Sequence, residues 1–132
     1  YKVKRWAYTI LGDQPNAEEA FRSEVAYSGG ERSDSGWQIV ELQIQAISGD
    51  KTELLKKLDQ AVSDPKVGKN AFGFGFEIAL AYNSLGNTQK ALDWLERSAA
   101  AGSHSFNFLM VDPRLGNLRN EPRYTLLTAK LK

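Results

Sequence analysis

Three glycines stand 37 residues apart in this chain, each inside a similar tripeptide: Leu11-Gly12-Asp13, Ser48-Gly49-Asp50 and Leu85-Gly86-Asn87. An internal period of about 20–50 residues marks stacked supersecondary units, none of which buries its apolar face alone. Each tripeptide follows an apolar segment and precedes an amphipathic one. Glycine ends helices because it takes the left-handed conformation without a Cβ penalty. An Asp or Asn just after it is placed to cap the next helix. Each unit therefore reads as helix, tight turn, helix.

The second helix of each unit is the clearer one. After Gly12, Pro15 sits where a first helical turn tolerates it, and Ala17, Ala20, Phe21 and Val25 follow at helical spacing. After Gly49, Asp50 and Glu53 form a variant of the capping box, and Leu54, Leu55, Leu58, Ala61 and Val62 make one stripe. After Gly86, Ala91, Leu92, Leu95 and Ala99 do the same. The first helices are less regular. Trp37, Val40, Ile44 and Ile47 have helical spacing, but Leu42-Gln43-Ile44-Gln45-Ala46 alternates like a strand, as does Phe72-Gly73-Phe74-Gly75-Phe76. Each reads equally as helix or strand alone; the repeat context favours helix, with Ile78, Ala79, Ala81, Tyr82 and Leu85 continuing it. Trp6, Ala7, Ile10 and Leu11 look like the end of a helix already under way at Tyr1, so the chain is expected to be cut from a longer protein. Residues 28–34 and 63–70 read as polar surface loops.

With 132 residues, 42% of them hydrophobic, the chain is sized for one globular domain with a substantial core. The absence of cysteine excludes disulfides, thiolate nucleophiles and Cys-ligated metal sites. A net charge of +1 supplies no global field for nucleic acid or an anionic membrane. No apolar run approaches the ~20 residues of a spanning helix.

The last stretch differs. Asp112-Pro113-Arg114 and Glu121-Pro122-Arg123 repeat an acid-Pro-Arg pattern around Leu115-Gly116-Asn117-Leu118-Arg119. Asn120 and Pro122 read as a helix start, with Tyr124, Leu127 and Leu131 facing the preceding helices. Such a helix, carrying Lys130 and Lys132, suits the terminal cap that a repeat stack needs.

In Phe72 to Ser105, the residues Ala79, Tyr82, Gly86, Ala91, Leu95 and Ser98 follow a signature that resembles the tetratricopeptide repeat (TPR). The tail from Phe108 to Leu131 resembles an ending that closes TPR regions of bacterial multidomain signalling proteins. The resemblance covers roughly residues 72–131; the earlier units keep Gly12 and Gly49 but few other signature positions, and the period exceeds the ~34 residues of a standard TPR. It implies an all-α fold of about three TPR-like helical hairpins stacked as a short solenoid with a C-terminal capping helix. The repeats would span residues 1–28, 35–63 and 70–102, with the cap over 105–132. It also implies partner binding on a concave face lined by the first helices. On this sequence that face comprises Ile39, Gln43 and Ala46, then Phe76, Leu80 and Asn83, with Val3, Ala7 and Ile10 from the first unit. Ile39, Gln43, Phe76, Leu80 and Asn83 are the expected site. Families that grip a peptide carboxylate use Asn, Lys and Arg here. This chain has Ala7 and Gln43 in the Asn places and Val3, Ile39 and Phe76 in the cation places. An apolar groove with polar edges suits an amphipathic helix or extended peptide, provided that Ile39, Phe76 and Leu80 are exposed. The other reading of these residues is inter-helix core.

Little points to chemistry. His104, the one histidine, lies in Gly102-Ser103-His104-Ser105 and reads as a loop residue, since a nucleophile and its base must meet in space with an orienting third group. Glu18-Glu19 and the pair Glu31 and Asp34 read as solvated acids rather than metal ligands. Gly73 and Gly75 lack the Gly-Lys-Ser/Thr of a phosphate loop and read as packing glycines. Arg114, Arg119 and Arg123 are expected to pair with local acids in the cap. No enzyme, metal or cofactor is read in the sequence. The expected role is a non-catalytic protein–protein interaction scaffold within a larger regulatory protein, cytoplasmic, binding protein or peptide and neither nucleic acid nor membrane. The alternative is an intramolecular or self-associating module that couples domains of its parent, as a homo-oligomer or against domains outside this chain.

Overall fold

The computed structural model describes residues 2–30, 34–102 and 112–130, and among them the chain is helical with no strand. In order come α1 (Lys2–Ile10), α2 (Gln14–Ser28), α3 (Ser35–Gln45), α4 (Lys51–Val62), a single turn α5 (Pro65–Gly68), α6 (Ala71–Ser84), α7 (Thr88–Ala100), a 3₁₀ helix η1 (Pro113–Leu118) and α8 (Pro122–Lys130). Helices pair in sequence, α1 with α2, α3 with α4 and α6 with α7. Across the pairs, α3 packs on both α2 and α6, and α6 also meets α4, η1 and α5. α8 lies against α7. The alternating segments are helical: residues 42–45 close α3, and residues 72–76 lie within α6.

The caps act as the sequence suggests. The Asp13 carboxylate accepts from the Asn16 amide, Asp50 from Thr52 and Glu53, and Asn87 from Lys90. Each satisfies helix N-terminal donors that would otherwise be orphaned, worth ~1 kcal/mol apiece. The glycines of the three tripeptides do not act alike. Gly12 and Gly86 have φ of +73° and +88°, the left-handed conformation expected of them. Gly49 is a correction: it does not adopt positive φ. A Cβ there would stand 2.8 Å from Leu54 Cδ1 and 2.9 Å from the Gln45 carbonyl, so this glycine is required by space rather than by backbone angle.

The loop expected over residues 63–70 also differs. Asp64 caps α5 through the Lys66 amide, and Val67 is buried in the main core. That core gathers Leu54 and Leu58 of α4, Ile78, Leu80 and Leu85 of α6, Leu92 and Leu95 of α7, and Leu115 and Leu118 of η1. At about 1.5–3 kcal/mol for each fully buried aliphatic side chain, η1 is an integral part of it. Tyr124 and Leu127 bring α8 into the same cluster, whereas Leu131 and His104 lie outside the described residues. A second cluster, Ala17, Phe21, Val25, Val40 and Ile44, joins α2 to α3. No described helix is long and apolar enough to cross a membrane.

Candidate functional site

The side chain at the centre of the helix stack is Glu77. It is the lone charge in α6, whose segment Phe74-Gly75-Phe76-Glu77-Ile78-Ala79-Leu80-Ala81 is otherwise apolar. A buried carboxylate must be paired or lose its charge, and here it is paired from three sides. Arg5 Nη2 of α1 lies 3.4 Å from Glu77 Oε1, and Trp6 Nε1 donates to the same oxygen at 3.2 Å. Gln43 Nε2 of α3 donates to Glu77 Oε2 at 2.5 Å and to its backbone carbonyl at 3.0 Å. Burial pushes the Glu77 carboxyl up. The charge of Arg5, the Gln43 hydrogen bond and the charges of Arg114 and Lys2 outweigh it and hold the group below its ordinary range.

The cluster extends in two directions. Arg5 is only 2% exposed and is held by Glu24 of α2, Nε to Oε2 at 2.6 Å and Nη2 to Oε1 at 3.4 Å. On the other side, Arg114 Nη1 donates to Gln43 Oε1 at 3.1 Å. Its Nε and Nη2 grip Asp112 at 3.1 and 2.9 Å, and its guanidinium stacks 5.5 Å from the Trp6 ring centre. Asp112 caps η1 by accepting from the Arg114 amide. The chain Glu24–Arg5–Glu77–Gln43–Arg114–Asp112 thus ties α2, α1, α6, α3 and η1 together.

Asn83, at the far end of α6, completes the contact. Its Nδ2 donates to the Arg114 carbonyl at 2.7 Å, and its amide exchanges two 2.9 Å hydrogen bonds with Asn117. Gln43 and Asn83, expected as ligand-reading residues of a concave face, instead read the chain's own segment 112–117.

The structure therefore redistributes the expected site. Ile39, Gln43, Phe76 and Leu80 are buried, and Asn83 is half-buried. Exposure of Ile39, Phe76 and Leu80 was the condition for an open groove, and it is not met. Phe76 packs on Trp6 with ring centres 6.2 Å apart, and Ile39 and Leu80 belong to the main core. The equivalent positions of α1, Val3, Ala7 and Ile10, are exposed. Beside them lies a shallow cleft of about 270 Å³, walled by Ile10, Gln43, Ala46, Asn83, Arg114 and Asn117 among others.

A larger cleft of about 330 Å³ opens where the starts of α1, α3 and α6 meet. Trp37, Val40 and Phe74 form its apolar wall, and the Arg5–Glu24 pair lies at its edge. Gly36 keeps it tight, since a Cβ there would come 2.5 Å from Phe74 Cε1. Every acid and base of the central cluster already has a partner, so the arrangement binds helices to one another and presents no unpaired nucleophile or base. Among the described residues no group of three or more His, Asp or Glu side chains is placed to hold a metal. No protein-family model matches the chain, and no curated protein and no solved structure matches it either.

Sequence reading missed Glu77 and Arg5. The signal for Glu77 was present: a single charge inside an unbroken apolar helix demands a buried partner. Arg5 carried no such signal, standing beside Lys2 and Lys4 at the start of the sequence. Arg114 and Arg123 do pair with acids, as expected of the cap.

Proposed function

We propose that this chain is a non-catalytic interaction module: a short, TPR-like stack of hairpins with a C-terminal cap, part of a larger regulatory protein and working in the cytoplasm. Of the two roles such a stack can have, we favour the intramolecular one, in which the inner face is closed by the chain's own C-terminal segment and the module acts as a rigid coupling piece. One observation carries this reading: Arg114 and Asn117 of that segment are hydrogen-bonded to Gln43 and Asn83. The satisfied state of the Glu24-to-Asp112 chain points the same way, because a binding groove keeps some of its polar groups free for the ligand. A pocket suited to bond chemistry would hold convergent polar groups around an open cavity, and the central cluster has none unspent.

The test is Arg114→Ala. If segment 112–118 is structural, the melting temperature falls by several degrees and amide exchange rises along α3 and α6. If the segment is a removable occupant, melting is unchanged and the inner face becomes open to peptides; that result favours the groove over Gln43 and Asn83.

A further inference from the structure

The 37-residue period lets one interface of the stack be carried from unit to unit. Arg5 and Trp6 of α1, Leu42 and Gln43 of α3, and Ala79 and Leu80 of α6 stand 37 residues apart, and all six are buried. In that register Val3, Ala7 and Ile10 correspond to Val40, Ile44 and Ile47 of α3. This stripe therefore lies one position round from the inner-face set Ile39, Gln43 and Ala46, with which the family resemblance aligned it.

In α3 these positions meet the helix before it. Val40 and Ile44 are buried in the cluster that joins α3 to α2, with Ala17, Phe21 and Val25, and Ile47 packs against that cluster. One unit later, Ala81 of α6 corresponds to Ile44 and is fully buried, and α6 packs on α4. Each of these two first helices thus rests on the second helix of the unit before it. In α1 the same positions are bare. Val3 is 74% exposed, Ile10 is 39% exposed, and Ala7 is exposed as well.

We propose that this stripe is the docking face for the second helix of a further hairpin of the same polypeptide, held on α1 as α2 is held on α3. The chemistry of the occupant follows from the interface already formed. α2 brings Ala17, Phe21 and Val25 to α3, and 37 residues on, α4 carries Leu54, Leu58 and Val62. The occupant is an amphipathic helix of that kind, apolar every fourth residue with a large side chain in the middle. Units of a stack bury their apolar sides against their neighbours, so the register selects a neighbouring hairpin. The inference rests on the reading of this chain as a coupling module of a larger protein, and it makes no use of the inner face. The Arg114→Ala result and the result below can therefore fail separately.

The experiment adds a copy of residues 13–37 directly ahead of Tyr1, which sets a second α2 at the same 37-residue spacing before α1. Thermal melting is followed for the chain and for the extended chain, each with and without Ala7→Glu. The extension should raise the melting temperature by about 5 °C or more and slow amide exchange along α1. Ala7→Glu should abolish that gain while leaving the melting of the unextended chain unchanged, because Ala7 is exposed there. Val3→Glu should act in the same way. An extension that leaves melting unaltered overturns the proposal. So does a gain that survives both substitutions, which would place the added helix elsewhere. Sedimentation of the unextended chain over a concentration series gives the last arm. A mass that rises with concentration and ceases to rise in Ala7→Glu would assign the stripe to a second copy, and would also overturn the proposal.

Discussion

Asp112-Pro113-Arg114 and Glu121-Pro122-Arg123 are near-copies of one another, yet their arginines live in different media. The Arg114 side chain is 10% exposed, stacked on Trp6 and hydrogen-bonded to Asp112 and Gln43 in the middle of the helix stack. Arg123 is at the surface, bridging Asp93, Glu96 and Gln89 of α7 to fasten α8. The same three-residue pattern starts a helical turn both times, because Pro fits a first turn. What the arginine then does is set by depth. In a low-dielectric interior an ion pair is costly to form and very costly to break; in water it is nearly neutral either way.

That contrast is sharpest where the buried cluster has its hub. Glu77→Ala would leave Arg5 without one of its two carboxylates and Gln43 Nε2 without its acceptor side chain. A loss of about 3–5 kcal/mol is expected, the range for breaking one partner of a buried pair, read as a fall in the urea midpoint. Stability unmoved by this change would mean that the cluster is hydrated and the comparison false. Acid tests the same hub. Glu77 in the folded chain holds its carboxyl below the ordinary value of 4.5, so its contribution is fully present above that pH and is lost as pH falls through the folded value. Glu77→Gln should flatten this part of the acid limb of a urea-midpoint profile; an unaltered limb would assign the acid sensitivity elsewhere.

At the surface the expected effects are smaller. Arg123→Ala should cost less than about 1 kcal/mol, and the cost should shrink further in high salt. A loss as large as that of Glu77→Ala would show that the α7–α8 clip is dry. Smallest of all is Ser98→Ala. The Ser98 hydroxyl is buried without a hydrogen-bond partner, beside Gly75, where a Cβ would come within 2.9 Å of Ser98 Cβ. Removing an unsatisfied hydroxyl in a space that already fits alanine should leave thermal melting unchanged or slightly higher. A marked fall would reveal a partner for that hydroxyl and place Ser98 with the buried cluster.

The helices themselves were legible without coordinates. The 37-residue spacing, the caps Asp13, Asp50 and Asn87, and the stripes of α2, α4 and α7 all rest on contacts between residues a few positions apart. The burial of Tyr124 and Leu127 was readable for the same reason. Less was readable of the candidate site. Gln43 and Asn83 were expected to line a concave face that binds a partner; in the structure their amides hydrogen-bond segment 112–117 of the same chain.

The sequence by itself determined the second helix of each unit, α2, α4 and α7, and the capped starts of these helices, because helix period and capping are short-range effects. Tertiary structure alone decided which face of each first helix is hidden. Arg5 finds Glu77 72 positions away, and Arg114 finds Gln43 71 positions away. Positions 3, 7 and 10 remain open while 39, 43, 76 and 80 are closed, although the local patterns are alike. How tightly a stack of helices curls, and therefore which apolar stripe meets another, depends on the summed packing of all its members, and no single segment carries that information.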